Sequence, residues 1–251
     1  MSYATLSLTL LFVLIPLILS KTLHLGLEKD TLIATIRSII QLLAVGYILK
    51  FVFESDNILY IFTMITLMIV AATANARKKG KKISGITWKV ALTMITVEII
   101  VQSILLGFHI VPATAQYIIP ISGMAIGNSM VLSILFLNRF QAELEAYRDE
   151  TELILSLGGT PKQAIHRQLI NAIKASMIPT IESQKTIGLV QLPGMMSGQI
   201  IAGADPVQAV QFQLLILFVL LTTAAISSIL LGFLSYPSLF NNRVQMLKDK
   251  F

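Results

Sequence analysis

The chain has 251 residues, of which 55% are hydrophobic and 13% are charged, and its formal net charge is +6. A soluble domain carries roughly 25% charged residues, so this composition excludes an ordinary soluble fold. The sequence has no cysteine, which excludes disulfides, thiolate metal sites, iron–sulfur clusters and cysteine nucleophiles.

The apolar residues come in long blocks. A run of about 18 or more such residues predicts a membrane-spanning helix, because the hydrocarbon core of a bilayer is about 30 Å thick. Seven segments qualify as spans: residues 3–19, 32–53, 58–74, 88–108, 113–137, 186–202 and 207–234. The sixth contains Pro193 and three glycines.

Positive charge predicts the orientation of these spans, since cytoplasmic loops carry an excess of Lys and Arg. Basic residues follow the first, third, fifth and seventh spans, whereas the alternate loops are short and carry little positive charge. The basic residues after the first, third and seventh spans are Lys21, Lys29, Arg37, Arg77, Lys78, Lys79, Lys81, Lys82, Arg243, Lys248 and Lys250. We therefore expect an all-α polytopic protein with an outside N-terminus, a cytoplasmic C-terminus and residues 1–251 as one transmembrane domain. The net charge reflects this topology, so we expect contact with lipid and none with nucleic acid.

Residues 138–185 form a long polar segment between the fifth and sixth predicted spans. Its first half is acidic and its second half is basic, and both are rich in helix-forming residues. Gly158 and Gly159 suit the end of a helix. Thr160, Pro161 and Gln163 then form the N-cap, the first position and the capping box of a second helix. The pattern predicts a cytoplasmic helical hairpin that turns at residues 157–161 and whose second helix ends at Pro179.

Ionisable residues inside predicted spans usually face the protein interior and mark functional sites. Glu98 lies midway along the fourth span, with Gln102 one turn later on the same face. A buried carboxylate there suits a hard cation, which prefers oxygen ligands, so Glu98 is a candidate metal ligand in a substrate path that also includes Gln102 and Arg37. The alternative is a structural pair between Glu98 and Arg37 of the second span, and Arg37 can also reach the inner interface.

A break in the sixth span adds to the candidate substrate path. Gln191, Pro193 and Gly194 interrupt its apolar pattern. Non-helical backbone at membrane depth occurs only where protein or a water-filled cavity surrounds it. We expect either a hinge that faces the substrate or an ordinary proline kink.

Three interpretations of the hairpin stay open: an amphipathic structure on the inner leaflet, a DNA-binding helix-turn-helix, and a docking element for a cytoplasmic partner. Close flanking by membrane spans disfavours the second, since that motif usually sits in a soluble domain. Residues 150–164 resemble the Glu-Ala-Ala…Gly loop of ABC transporter permeases, with Thr151 and Glu152 in place of the two alanines.

The resemblance extends further along the chain. Glu-Leu-Ile-Leu-Ser-Leu-Gly-Gly-Thr-Pro (152–161), Pro-Thr-Ile-Glu-Ser-Gln-Lys-Thr-Ile-Gly-Leu-Val-Gln-Leu-Pro-Gly-Met-Met-Ser-Gly-Gln-Ile (179–200) and Gly-Ala-Asp-Pro (203–206) resemble the Fet-type iron export permeases. These bacterial membrane proteins are similar also to the plant aluminium-sensitive transport protein.

The resemblance implies a permease of the cell (inner) membrane that exports iron or a related metal species. It also implies a homodimer that pairs with separate ATP-binding subunits. The residues expected to transmit ATP-driven closure are Glu150, Glu152, Leu157, Gly158, Gly159, Thr160 and Pro161. The sequence contains no Gly-x-x-x-x-Gly-Lys-Ser/Thr phosphate loop, which agrees with ATP bound by a partner and with no cofactor on this chain. The alternative is an ATP-independent channel or carrier; no hydrolytic or redox motif favours an enzyme.

Overall fold

The computed structural model describes residues 9–55, 57–81, 83–241, 245 and 246, and none of these lies in a β-strand of a sheet. The helices are α1 (Leu11–Thr22), α2 (Glu28–Ser55), α3 (Ile58–Ala76), α4 (Ile86–Gly107), α5 (Ala115–Ala146), α6 (Arg148–Ser156), α7 (Pro161–Ala164), α8 (His166–Thr186), α9 (Gly194–Ile201) and α10 (Pro206–Ser235), followed by a 3-10 turn (Tyr236–Leu239). The predicted all-α fold is confirmed for this part of the chain.

Five helices of the described residues are long and apolar enough to cross a membrane. They are α2, α3, α4, α5 and α10, and they carry the second, third, fourth, fifth and seventh predicted spans. Residues 3–8 of the first predicted span lie outside the described residues, and the rest falls on α1, which has 12 residues. The basic residues Lys82, Arg243, Lys248 and Lys250, which enter the orientation argument, also lie outside the described part.

The chain divides into two compact units, residues 1–57 and 58–251. In the first unit, Ser20 ties the α1–α2 turn together. Its hydroxyl donates to Glu28 Oε1 at 2.8 Å and accepts from the Leu27 amide at 3.1 Å. Gly26 in this turn has φ +70°, a left-handed conformation that glycine adopts at little cost.

In the second unit, hydrogen bonds between the helices show their relative directions. α5 and α10 run parallel, because Asn128 bonds to Thr223 at 2.7 Å and Ser129 further along α5 meets Ser227 at 2.5 Å. α8 runs antiparallel to α10, since Ser176 bonds to Ser228 and Gln184, later in α8, bonds to the earlier Leu217 carbonyl. α8 therefore returns along the two apolar helices on which it packs.

This course of α8 corrects two predictions. Pro179 was expected to end the helix, but α8 continues through it to Thr186. A proline inside a helix removes one backbone hydrogen bond, yet the bonds of Ser176 and Gln184 to α10, on either side of Pro179, hold the helix in place. The last part of the predicted hairpin, up to residue 185, consequently lies beside α5 and α10 rather than beyond them.

The sixth predicted span, residues 186–202, is interrupted where the sequence predicted a break, and it contains no helix of spanning length. The chain turns at residues 187–193, where Gly188 has φ +87° and its amide donates to the Gln191 carbonyl at 3.0 Å. The helix that follows, α9, has 8 residues, whereas a spanning helix needs about 20. The return path is thus made of α8, a turn and the short α9.

The turn at residues 157–161 and its capping are confirmed. The Thr160 hydroxyl accepts from the Gln163 amide, and the Gln163 side chain accepts from the Thr160 amide at 2.8 Å, which completes the capping box. Gly158 has φ +88°, as expected of a glycine after a helix end. The first half of the hairpin differs from the prediction, because α5 continues to Ala146 and α6 is a separate helix.

Gly232 lets α10 approach its neighbours closely. A Cβ atom there would lie 2.8 Å from Leu169 Cδ1 and 3.2 Å from Phe136 Cζ, so a large side chain would overpack the junction of α5, α8 and α10. We expect Gly232→Leu to destabilise the protein by about 1–3 kcal/mol and to lower its Tm in detergent. Gly127→Leu is the matched control, since a Cβ there meets nothing within 4 Å; an equal loss in both variants would refute close packing as the cause.

Candidate functional site

Glu98 lies at the centre of a small buried hydrogen-bond network. Its side chain is on α4 and the residue is 6% exposed. Gln102, one turn later, donates to Glu98 Oε1 at 3.0 Å, and Ser122 of α5 donates to the same oxygen at 2.5 Å. Gln102 also donates to the Ser122 hydroxyl at 2.8 Å. The sequence pattern predicted that Glu98 and Gln102 share a face, and the structure brings them together and adds Ser122.

The second oxygen of Glu98 sets this network apart from an ordinary structural one. Oε2 is buried and has no hydrogen-bond partner among the described residues. A buried charged or polar atom without a partner is costly, and in a native protein such an atom points to a ligand, ion or water. The arrangement holds the carboxylate by one oxygen and leaves the other available.

A cavity of about 710 Å³ lies between α3 and α4 and reaches Glu98. Its lining is mostly aliphatic and aromatic, with the hydroxyls of Thr66, Thr73 and Thr87 and the charged groups of Glu98 and Arg77. The cavity gives the carboxylate an open side. The cavity is too apolar to be a complete ion site, and Glu98 is the one acidic residue among the described residues that line it.

Arg37 and Gln41 belong to the first unit. They line a cavity of about 440 Å³ on α2 together with Ile33, Ile36 and Ile40. The two residues lie four positions apart on the same face of α2. The proposed pairing of Arg37 with Glu98 joins residues of two separate units and stays a prediction.

The predicted break at Gln191, Pro193 and Gly194 borders a second cavity, of about 380 Å³, formed by α5, α8, α10 and the turn after α8. Its polar lining comes from six side chains: Asn128, Thr180, Ser183, Gln184, Gln191 and Gln213. None of the described lining residues carries a charge. The break therefore adjoins an uncharged polar pocket, and sequence reasoning missed Asn128 and Gln213, which are amides within otherwise apolar segments.

The predicted coupling residues gather at the turn between α6 and α7. Glu150 pairs with Arg167 of α8 at 3.2 Å, and Glu152 pairs with Arg148 one turn earlier at 3.0 Å. Both carboxylates thus brace the hairpin itself. Arg167 also lies over the Tyr147 ring, 4.5 Å from its centroid, which holds α8 against the start of α6.

Apolar side chains project from the same turn. Leu157 is 79% exposed and Leu153 is 58% exposed. Gly158, Gly159, Thr160 and Pro161 shape the backbone beside them. Sequence reasoning placed Leu157 in the coupling set, and the structure leaves it available to a partner.

The described residues contain no group of three or more His, Asp or Glu side chains that could together hold a metal ion. Glu98 is consequently the single acidic ligand that its network offers. Neutral oxygens would have to complete any coordination sphere there.

Comparison with known proteins places these features in a family. Residues 3–240 match the family described as "Uncharacterised protein family (UPF0014)". The chain is 55% identical to "UPF0014 membrane protein YjkA" of Bacillus subtilis (strain 168), over 100% of both chains. It is 39% identical to "Probable iron export permease protein FetB" of Escherichia coli (strain K12), over 97% of this chain and 94% of that protein.

A plant relative extends the range of the family. The chain is 31% identical to "Protein ALUMINUM SENSITIVE 3" of Arabidopsis thaliana, over 96% of this chain and 89% of that protein. No solved structure matches the chain. With apolar helices of spanning length and relatives named as membrane and permease proteins, the chain is a multi-pass protein of the cell membrane. It belongs to the UPF0014 family of membrane proteins.

Proposed function

We propose that this protein is the permease subunit of an ABC transporter that exports iron or a related metal species. The observation that carries the proposal is Glu98, a buried carboxylate with one oxygen held and one unpartnered. The likeness to a relative named as a probable iron export permease, over 97% of this chain, supports the same substrate class. ATP would be bound by a separate subunit, since the sequence has no phosphate loop of its own.

Glu98 would contribute the charged ligand on the metal's route. A hard cation prefers oxygen ligands. Ser122 places a hydroxyl oxygen beside the carboxylate, and Gln102 Oε1 is buried without a hydrogen-bond partner among the described residues. An ionisable residue within a spanning helix is costly and usually functional.

The α6–α7 turn would receive the ATP-binding subunits. It stands at the same end of the second unit as the end of α10, since Thr160, Pro161 and Lys162 share a surface pocket with Tyr236 and Pro237. The positive-inside rule assigns this end to the cytoplasm, where an ATPase would meet it. A homodimer with two such subunits, alternating between inward and outward access, is the assembly that the resemblance implies.

Leu157 offers a direct test of docking. We expect Leu157→Asp to abolish co-purification of the ATP-binding subunit. The substitution replaces an exposed apolar side chain with a charge, and docking would have to remove that charge from water. The free energy of unfolding of the permease alone should change by less than about 0.5 kcal/mol, as expected of exposed positions. The measurement is affinity co-purification alongside a thermal melt.

Ser156→Asp is the matched control for Leu157→Asp. It adds the same charge one residue away on an exposed position and removes no apolar side chain. If both variants retain the partner equally, the apolar tip of the hairpin does not dock.

Reconstitution separates this proposal from an ATP-independent channel or carrier. Purified permease in liposomes should move Fe²⁺ only when the ATP-binding subunit and ATP are both present. Metal flux through the permease alone, at the rate of the full complex, would overturn the ABC proposal. If the complex shows ATP-dependent transport of other solutes but not of metals, the proposed substrate class is wrong.

A further inference from the structure

We propose that the uncharged pocket at the break between α8 and α9 is a second cation site, built from neutral amide and hydroxyl oxygens and distinct from the Glu98 network. This inference rests on the proposed function only because it assumes that the pocket lies on the route of the transported metal. The pocket, of about 380 Å³, is lined by Asn128, Gln184 and Gln213 among other polar residues.

The orientation of two amides makes the pocket rich in acceptors. Asn128 Nδ2 donates to the Leu220 carbonyl at 3.0 Å, and Gln184 Nε2 donates to the Leu217 carbonyl at 3.0 Å. A carbonyl cannot donate a hydrogen bond, so the nitrogen of each amide must face α10. The oxygen of each amide is therefore the end left for a ligand.

Gln213 gives the independent sign of a ligand. It is 7% exposed, and its Oε1 is buried without a hydrogen-bond partner among the described residues. An unsatisfied buried amide oxygen costs about 1–3 kcal/mol. A cation in the pocket would remove that cost, whereas an anion would meet mainly oxygen acceptors.

The backbone at the break between α8 and α9 also favours a cation. α8 ends at Thr186, and Ser183, Gln184 and Ile187 at that end line the pocket. The C-terminus of a helix carries partial negative charge from its unpaired carbonyls. In transporters with broken helices, such half-helix ends and unwound carbonyls hold cations near the middle of the membrane.

The break pocket and the Glu98 network occupy different faces of α5. Ser122, which holds Glu98, and Asn128, which lines the pocket, are six residues apart, about 9 Å along the axis and about 120° around it. A neutral site suits a moving ion, because transport requires binding weak enough for release. Carbonyl oxygen suits hard cations such as Mn²⁺.

The test measures Mn²⁺ binding by electron paramagnetic resonance, since the free aqua ion gives a sharp signal that binding broadens. The full chain in detergent carries Glu98→Gln, so that the carboxylate does not contribute. We expect Gln213→Leu in this background to weaken Mn²⁺ binding about 10- to 100-fold, the usual cost of losing a group that supports a metal site. Gln213→Glu should instead strengthen binding, because it adds a negative charge.

Gln211→Leu is the matched control. It makes the same substitution two residues away on α10, at an exposed position, and should leave Mn²⁺ binding unchanged. Thermal melts show that each variant is folded, and the opposite effects of Gln213→Leu and Gln213→Glu cannot both follow from misfolding.

Mn²⁺ binding that is the same in all three variants, or absent from the Glu98→Gln parent, would overturn the second site. Such a result leaves ATP-driven transport by the wild-type complex untouched, so it is distinct from a failure of the proposed function. If ATP-driven transport fails but the Gln213 variants change Mn²⁺ binding as expected, the proposed transport function is wrong and the second cation site stands.

Discussion

Replacing Glu98 by Gln should lower metal transport about 10- to 100-fold, as removal of a metal-site group usually does, while leaving assembly with the ATP-binding subunit intact. Gln is nearly the same size and can still accept from Ser122 through its amide oxygen, so the packing between α4 and α5 should survive. What is lost is the negative charge and the unpartnered Oε2. The measurement is ATP-driven Fe²⁺ transport in liposomes, with co-purification of the ATPase from the same preparation.

Glu54→Gln is the control for this result. It removes one carboxylate from an exposed position at the end of α2, and transport should stay at the wild-type rate. If Glu98→Gln also transports at the wild-type rate, Glu98 is a structural group that Ser122 and Gln102 satisfy, and the carboxylate has no place on the metal's route.

Local patterns predicted the parts of the fold that depend on nearby residues. The apolar segments at 58–74 and 88–108 form α3 and α4, because their length and apolar composition suit a helix that crosses a membrane. The turn at 157–161 was equally predictable, since the Thr160–Gln163 capping box uses groups three residues apart.

The break in the sixth span was predicted, but the continuation of α8 through Pro179 and the short length of α9 were not. A proline normally marks a helix end, and the 17-residue window 186–202, which carries no charged residue, fits a span by composition. The contacts that carry α8 through Pro179 come from α10, 33 to 52 residues away in sequence, and no local pattern contains them.

The candidate sites divide in the same way. The i, i+4 spacing of Glu98 and Gln102 predicted their contact, but Ser122 required the register of α4 on α5. The sequence analysis considered charged residues in the spans and missed Gln213. An amide among the apolar residues of α10 is also costly to bury, so the same reasoning could have found it.

The coupling residues show a further difference. Glu152 and Arg148 are four apart on one helix, a spacing that predicts their ion pair, whereas the pair of Glu150 with Arg167 spans the turn and needs the closed hairpin. Both pairs are partly exposed, and surface pairs contribute about 0–1 kcal/mol. These pairs therefore add little to the stability of the hairpin. Its turn is more sensitive, because a Cβ atom at Gly159 would meet the Ile154 backbone.

Gly159→Val should abolish ATPase docking and reduce ATP-driven transport to background. A Cβ at this position would lie 2.5 Å from Ile154 Cγ2 and 2.8 Å from the Ile154 carbonyl oxygen, which accepts the Gly159 amide hydrogen bond at 2.9 Å. Backbone cannot move aside as a flexible side chain can, so α6 and α7 must separate and Leu157 must shift. Overpacking of this kind costs about 1–3 kcal/mol.

The measurement for Gly159→Val is co-purification of the ATP-binding subunit, followed by transport in liposomes. Gly46→Val is its matched control, because a Cβ at residue 46 meets nothing within 4 Å, and the partner should be retained. Gly158→Ala gives an intermediate case: its φ of +88° makes a side chain strained in open space, at a cost of about 1 kcal/mol, so docking should weaken without being lost. A Gly159→Val permease that recovers the ATPase in wild-type yield would show that energy enters the transporter elsewhere than through this turn.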